Sequence, residues 1–195
     1  LEKKLNETID KLNEPAKKEK ELAEKTKNKK GKNEELTKEQ EQLKKEFDDV
    51  KKDLEDIDKK NEELESPIDL SKQEESKEDV SQKMDDAQQQ QSKGKNKSAA
   101  ESMEEAAEKM KEMAEQMQQE MQDSQEEQQE EDYNNLRQIL ENLIQLSFDQ
   151  EQLIDGFKEN RRYSPKYIEL RQRQRKIKDE TKMVEDSLLA LSKRN

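Results

Sequence analysis

"LTKEQEQLKKEFDDVKKDLEDIDKKNEEL", Leu36 to Leu64, decides the fold. With Leu36 at a heptad d position, Gln40, Phe47, Leu54 and Asn61 fall at a. Leu43, Val50, Ile57 and Leu64 follow at d. Seven of these nine seam positions are apolar, and the residues between them are almost all charged or amide. A 3.5-residue apolar repeat over four heptads predicts a long amphipathic helix packed along a narrow seam. Asn61, the polar residue at an a position, is read as a register device or a frayed end.

The chain as a whole has the composition such a seam requires. Of its 195 residues 46% are charged and 26% hydrophobic. A compact single-core domain uses roughly 45–50% apolar residues, whereas a seam needs only two positions in seven. Cysteine and histidine are absent. That removes disulfides, the commonest metal ligand and the commonest general base.

Outward from the central heptads, Leu1, Leu5, Ile9 and Leu12 predict a first helix. Pro15 is expected to kink or end it, and the Lys-rich residues 15–32, with Gly31, to form a break. "SPID", Ser66 to Asp69, reads as an N-cap serine, a proline at the first helical position and an acid in the first turn. It predicts a short helix carrying Ile68, Leu70, Val80 and Met84. "DAQQQQSKGKNK", Asp86 to Lys97, reads as a flexible linker, so that residues 66–97 comprise a short helix and a Gln/Lys-rich connection.

Ser98 and Glu101 have capping-box spacing, and no helix breaker lies between Lys95 and Asp155. A continuous helix over about residues 99–159 is therefore expected. Residues 98–132 form an acidic, Met-rich part, and residues 101–132 hold 13 acids against 2 bases. Its stripe, Met103, Met110, Met113, Met117 and Met121 with interleaved alanines, is read first as seam packing. The alternative is a thioether surface that captures a helical partner.

Residues 133–195 carry the densest apolar band, from Leu136 to Phe157, then "NRRY" and a Ser164–Pro165 restart. They predict an antiparallel helical hairpin turning near 160–164. Its returning helix has a seam at Tyr167, Leu170, Ile177, Val184, Leu188 and Leu191. The basic cluster of Arg161, Arg162, Arg171 and Arg175 gives further candidate partner contacts. Arg171, Arg173 and Arg175 spread around the helix without an aromatic platform, which argues against nucleic acid.

The fold class expected is all-α, with elongated coiled-coil-like helices and a C-terminal antiparallel helical hairpin. No Walker-type phosphate loop, metal-ligand spacing or activated nucleophile is present in the sequence. The reading is of a non-enzymatic segment with no catalytic, cofactor or metal site, whose partner is protein, either itself or another helix.

"LSFDQE" (Leu146–Glu151), the Ser164–Pro165 restart and "EDSLLALSKR" (Glu185–Arg194) carry a resemblance. Residues 98–195 resemble a segment of a large Bacteroidetes family of membrane-anchored coiled-coil proteins of unknown function, sometimes labelled putative ATPases. The resemblance implies a bacterial envelope location and an anchor outside this stretch.

Overall fold

The computed structural model describes residues 1–30, 33–64 and 66–194. Gly31, the expected loosening point, lies outside the described residues. These form an all-α fold of five helices and no strand: α1 Glu2–Lys27, α2 Asn33–Asn61, α3 Lys72–Ser92, α4 Asn96–Glu159 and α5 Pro165–Arg194. Among the described residues no helix is long and apolar enough to cross a membrane. The chain divides into two compact units, Leu1–Ser124 and Gln125–Asn195, and α4 contributes a part to each.

In the first unit α1, α2, α3 and the first part of α4 run alternately up and down around one core. Charged pairs across neighbouring helices record the register. Lys11 meets Asp53 at 2.5 Å, Lys18 meets Glu46 at 2.9 Å and Lys25 meets Glu39 at 2.8 Å, so α1 and α2 are antiparallel. Lys44 pairs with Asp85 between α2 and α3. Lys83 reaches Glu105 at 2.5 Å, and Gln73 reaches Glu120 at 3.1 Å, between α3 and α4. Exposed pairs of this kind add little to stability, because water and salt screen them. The interior contributes more, at roughly 1.5–3 kcal/mol per large apolar side chain. Phe47, Leu5, Leu12, Leu54, Ile57, Met84 and Met110 are all essentially inaccessible.

Six expectations are corrected here. Pro15 neither ends nor breaks α1, but lies buried inside it. The missing N–H and ring clash cost about 3 kcal/mol, which is offset by burial on both sides of it, at Leu5, Ile9 and Leu12 before and Leu22 after. The seam runs on through Pro15, Glu19, Leu22 and Thr26, hidden from an apolar count because half of its later positions are polar.

Residues 86–92 are not a linker. They are the last two turns of α3, with Ala87 and Gln91 buried. The helix ends in a Schellman pattern, where Gly94 N–H bonds Gln91 O and Lys95 N–H bonds Gln90 O, each at 2.9 Å. Gly94 has φ +71°, a conformation glycine adopts without penalty. Nor is Ser98 a cap, since α4 already begins at Asn96.

"SPID" does not start a helix, because α3 begins at Lys72. Ile68 and Leu70 are nevertheless buried, plugging the core from a non-helical connection. Asn61 explains how. Its Nδ2 donates to Ile68 O at 2.7 Å, and its Oδ1 accepts from Ile68 N–H at 2.9 Å. Asn61 thus clasps the connection instead of setting a seam register. Leu64, assigned to the seam, lies beyond the helix and is 42% exposed.

The second unit is a hairpin of the later part of α4 and α5, connected through residues 160–164. Ser164 Oγ accepts the Tyr167 N–H at 3.1 Å, capping α5 ahead of Pro165. Gln174 donates to Gln150 at 3.3 Å. Ile139 clusters with Val184 and Leu191, and Leu153 with Leu170 and Ile177, which is an antiparallel register. Gly156 permits the close approach, since a Cβ there would lie 2.9 Å from Leu170 Cδ2. Phe157 and Tyr167 meet edge to face, 5.1 Å between ring centroids.

Candidate interaction surface

The methionine stripe is an internal structure. Met103, Met110, Met113 and Met117 are each 0% exposed and packed with Leu, Phe and Val side chains of α1–α3. Met121 is partly buried against the same core. This corrects the capture-surface alternative, because the chain's own helices cover the thioethers. Unbranched Met beside Ala106, Ala107 and Ala114 fills gaps in a core built around small residues.

In the same core the Glu19 carboxylate has no cationic partner among the described residues. Glu19 is fully buried, and Gln40 Nε2 donates to its Oε1 at 2.5 Å. Among the described residues its Oε2 has no hydrogen-bond partner, and neither has Gln40 Oε1. Burial pushes the Glu19 carboxyl up to about 8, while the bond from Gln40 pulls it down by less. Asp58 and Glu120 are raised by partial burial in the same way. These acids stand apart along the bundle. Among the described residues there is no group of three or more acids, histidines or cysteines placed to hold a metal ion.

The basic candidates lie in the second unit. Arg161 and Arg162 are exposed in the 160–164 turn, and Arg171 and Arg175 are exposed on α5. Among the described residues none of these four forms an ion pair. Nearby cations do: Arg173 lies 3.6 Å and Lys166 2.9 Å from Glu169, and Lys176 lies 3.4 Å from Glu180. Among the described residues Arg175 and Asp179, though four apart on α5, form no ion pair.

What sequence reasoning missed is the width of the apolar band on α4. Ile139, Leu146 and Leu153, one per heptad, face α5, and the intervening seam positions are Asn142, Asp149 and Gly156. Leu136, Leu140, Leu143, Ile144, Phe148 and Ile154 are instead 40–57% exposed. The signal was present in the sequence as two interleaved repeats, 139/146/153 and 136/140/143/154. Together they exceed what a single neighbouring helix can cover.

A groove of about 380 Å³ opens on one face of this hairpin, lined by Ile139, Leu146, Met183 and Val184 among polar residues. The exposed leucines occupy the other face. A two-helix unit with apolar side chains left in water has the character of a helix–helix docking surface. No protein-family model matches this chain, and no curated protein or solved structure matches it either.

Proposed function

We propose that this chain is a non-enzymatic structural segment of a larger bacterial envelope protein, acting through helix–helix contacts. The observation that carries this is the exposed Leu136–Leu140–Leu143 stripe on a hairpin whose own seam is half polar. Such a hairpin gains stability by adding helices, which is how scaffolds propagate. The reading needs no cofactor, metal or nucleic acid. The envelope location and an anchor beyond this stretch follow from the resemblance of residues 98–195. Site-specific photo-crosslinking in cells tests it. A crosslinker at Leu140 should capture a polypeptide, and one at buried Leu12 should not. Absence of any adduct from Leu136, Leu140 and Leu143 sinks the proposal.

A second reading is a binding module that holds an acidic helix against the basic arm. The unpaired, exposed Arg161, Arg162, Arg171 and Arg175 favour it. Crosslinks from Arg161 rather than from Leu140 would select it.

A further inference from the structure

We propose that the exposed α4 face is covered by a second copy of this chain. Two hairpins would pair about a two-fold axis parallel to the helices, so that α4 of one copy stacks on α5 of the other. The proposal rests on the helix–helix reading above and names the partner.

The geometry of α4 comes first. At 3.6 residues per turn, the 136/140/143/154 stripe sits roughly a quarter turn from the 139/146/153 stripe. A helix at the corner of a four-helix bundle contacts two neighbours at about that angle. One neighbour is α5, and within the hairpin unit no described residue supplies the other. Because α4 and α5 are antiparallel, the hairpin face showing the leucine stripe also shows Tyr167, Lys178 and Leu188 of α5. Leu188 is 40% exposed. Leu136, Leu140, Leu143 and Ile154, with Leu188 beside them, are each about half exposed and leave on the order of 400 Å² of apolar surface per copy. A pair then covers on the order of 800 Å², and with polar atoms added it reaches the range of specific interfaces.

Charge selects the occupant. Residues 133–159 carry five acids and two bases, whereas α5, Pro165–Arg194, carries nine bases and five acids. Stacking α4 on α4 sets like charges together, and stacking α4 on the partner's α5 sets opposite charges together. A second copy supplies both signs at once, because a two-fold axis exchanges the two helices.

The register agrees. Gln150 lies opposite Gln174, and Gly156 lies against Leu170. This places Glu151 level with residues 173–175, within a turn of Arg171 and in reach of its long side chain, and Leu136 level with residues 188–190. A two-fold along the helices preserves these levels between copies. Glu151 and Arg171 are both exposed on outer edges of the hairpin, and among the described residues neither has an ion-pair partner. In the paired arrangement they meet across the interface.

Sedimentation equilibrium on the full chain tests this, with circular dichroism monitoring the fold. The expected mass is twice 23.2 kDa at tens of micromolar. Leu140→Gln with Leu143→Gln should give a monomer of unchanged helix content. Arg171→Glu should weaken association at least tenfold, and adding Glu151→Arg should recover most of it.

A readout that leaves the stripe largely intact uses single cysteines, since the chain has none. A Leu136→Cys chain mixed with a Leu188→Cys chain should form a disulfide far faster than Leu136→Cys chains alone. A helical monomer up to millimolar concentration, an assembly larger than two, or equal disulfide rates would overturn the proposal. A monomer that still crosslinks to another protein through Leu140 would overturn it while leaving the helix–helix reading intact.

Discussion

Glu19 on α1 and Gln40 on α2 share a 2.5 Å hydrogen bond inside the four-helix unit, with no cation beside the carboxyl among the described residues. The Glu19 carboxyl stands at about 8 in the folded chain against 4.5 for the unperturbed group. Folding therefore takes up a proton between these values. Its contribution is fully present below about 4.5 and is lost as pH rises through 8. Glu19→Gln removes the ionisable group but keeps an amide that can bond Gln40. It is expected to stabilise the bundle by about 2–3 kcal/mol at pH 9 and to change little at pH 4.5. Urea unfolding followed by circular dichroism at both pH values checks this. A variant equally stabilising at both would contradict it.

Asn61 satisfies both backbone groups of Ile68, at 2.7 and 2.9 Å. Removing the amide leaves a buried N–H and C=O without partners. Asn61→Ala is expected to cost about 2–4 kcal/mol and to raise hydrogen exchange first at the Ile68 amide. An unchanged exchange rate there would show that the connection holds itself.

Met110 is fully enclosed by the first unit's core. Met110→Ala should cost about 2–5 kcal/mol through lost contacts and a cavity, whereas Met110→Leu should cost less than about 1.5 kcal/mol. Thermal melts distinguish the two. A capture-surface methionine would have tolerated alanine with little change in the free protein.

Gly156 carries two opposed effects. Alanine gains about 1 kcal/mol of helix propensity but sets its Cβ 2.9 Å from Leu170 Cδ2, a buried side chain that must move. Overpacking of this size costs about 1–3 kcal/mol. Gly156→Ala should therefore stay within about 1 kcal/mol of the parent or fall slightly below it. Gly156→Val, with a β-branched clash added, should cost about 2–3 kcal/mol. The near-ultraviolet signal of Tyr167, which packs on Phe157, reports the hairpin directly.

What could be read from the sequence was what periodicity encodes. The Leu36–Ile57 heptads, the unbroken helix reaching Glu159 and the Ser164–Pro165 restart each follow from spacing and caps that act within a few residues. The structure of those segments agrees because helix formation, capping and seam burial are local or nearly so. Misreadings arose where distant packing overrides a local rule. Pro15 stays helical because flanking leucines are buried against other helices. The glutamine run before Gly94 stays helical because Ala87 and Gln91 face a core assembled from elsewhere.

The candidate surface divides the same way. Sequence alone marked Met103–Met121 as a candidate contact surface and Leu136–Phe157 as the seam of a hairpin, two apolar stretches that each need cover. Only the tertiary structure decided which one is already occupied. Helices α1–α3 share a core with the methionines and bury them, while within the hairpin unit α5 covers one stripe of the later α4. The physical reason is that amphipathicity states how much surface a helix must bury, and the number of neighbours it finds is set by how the whole chain packs.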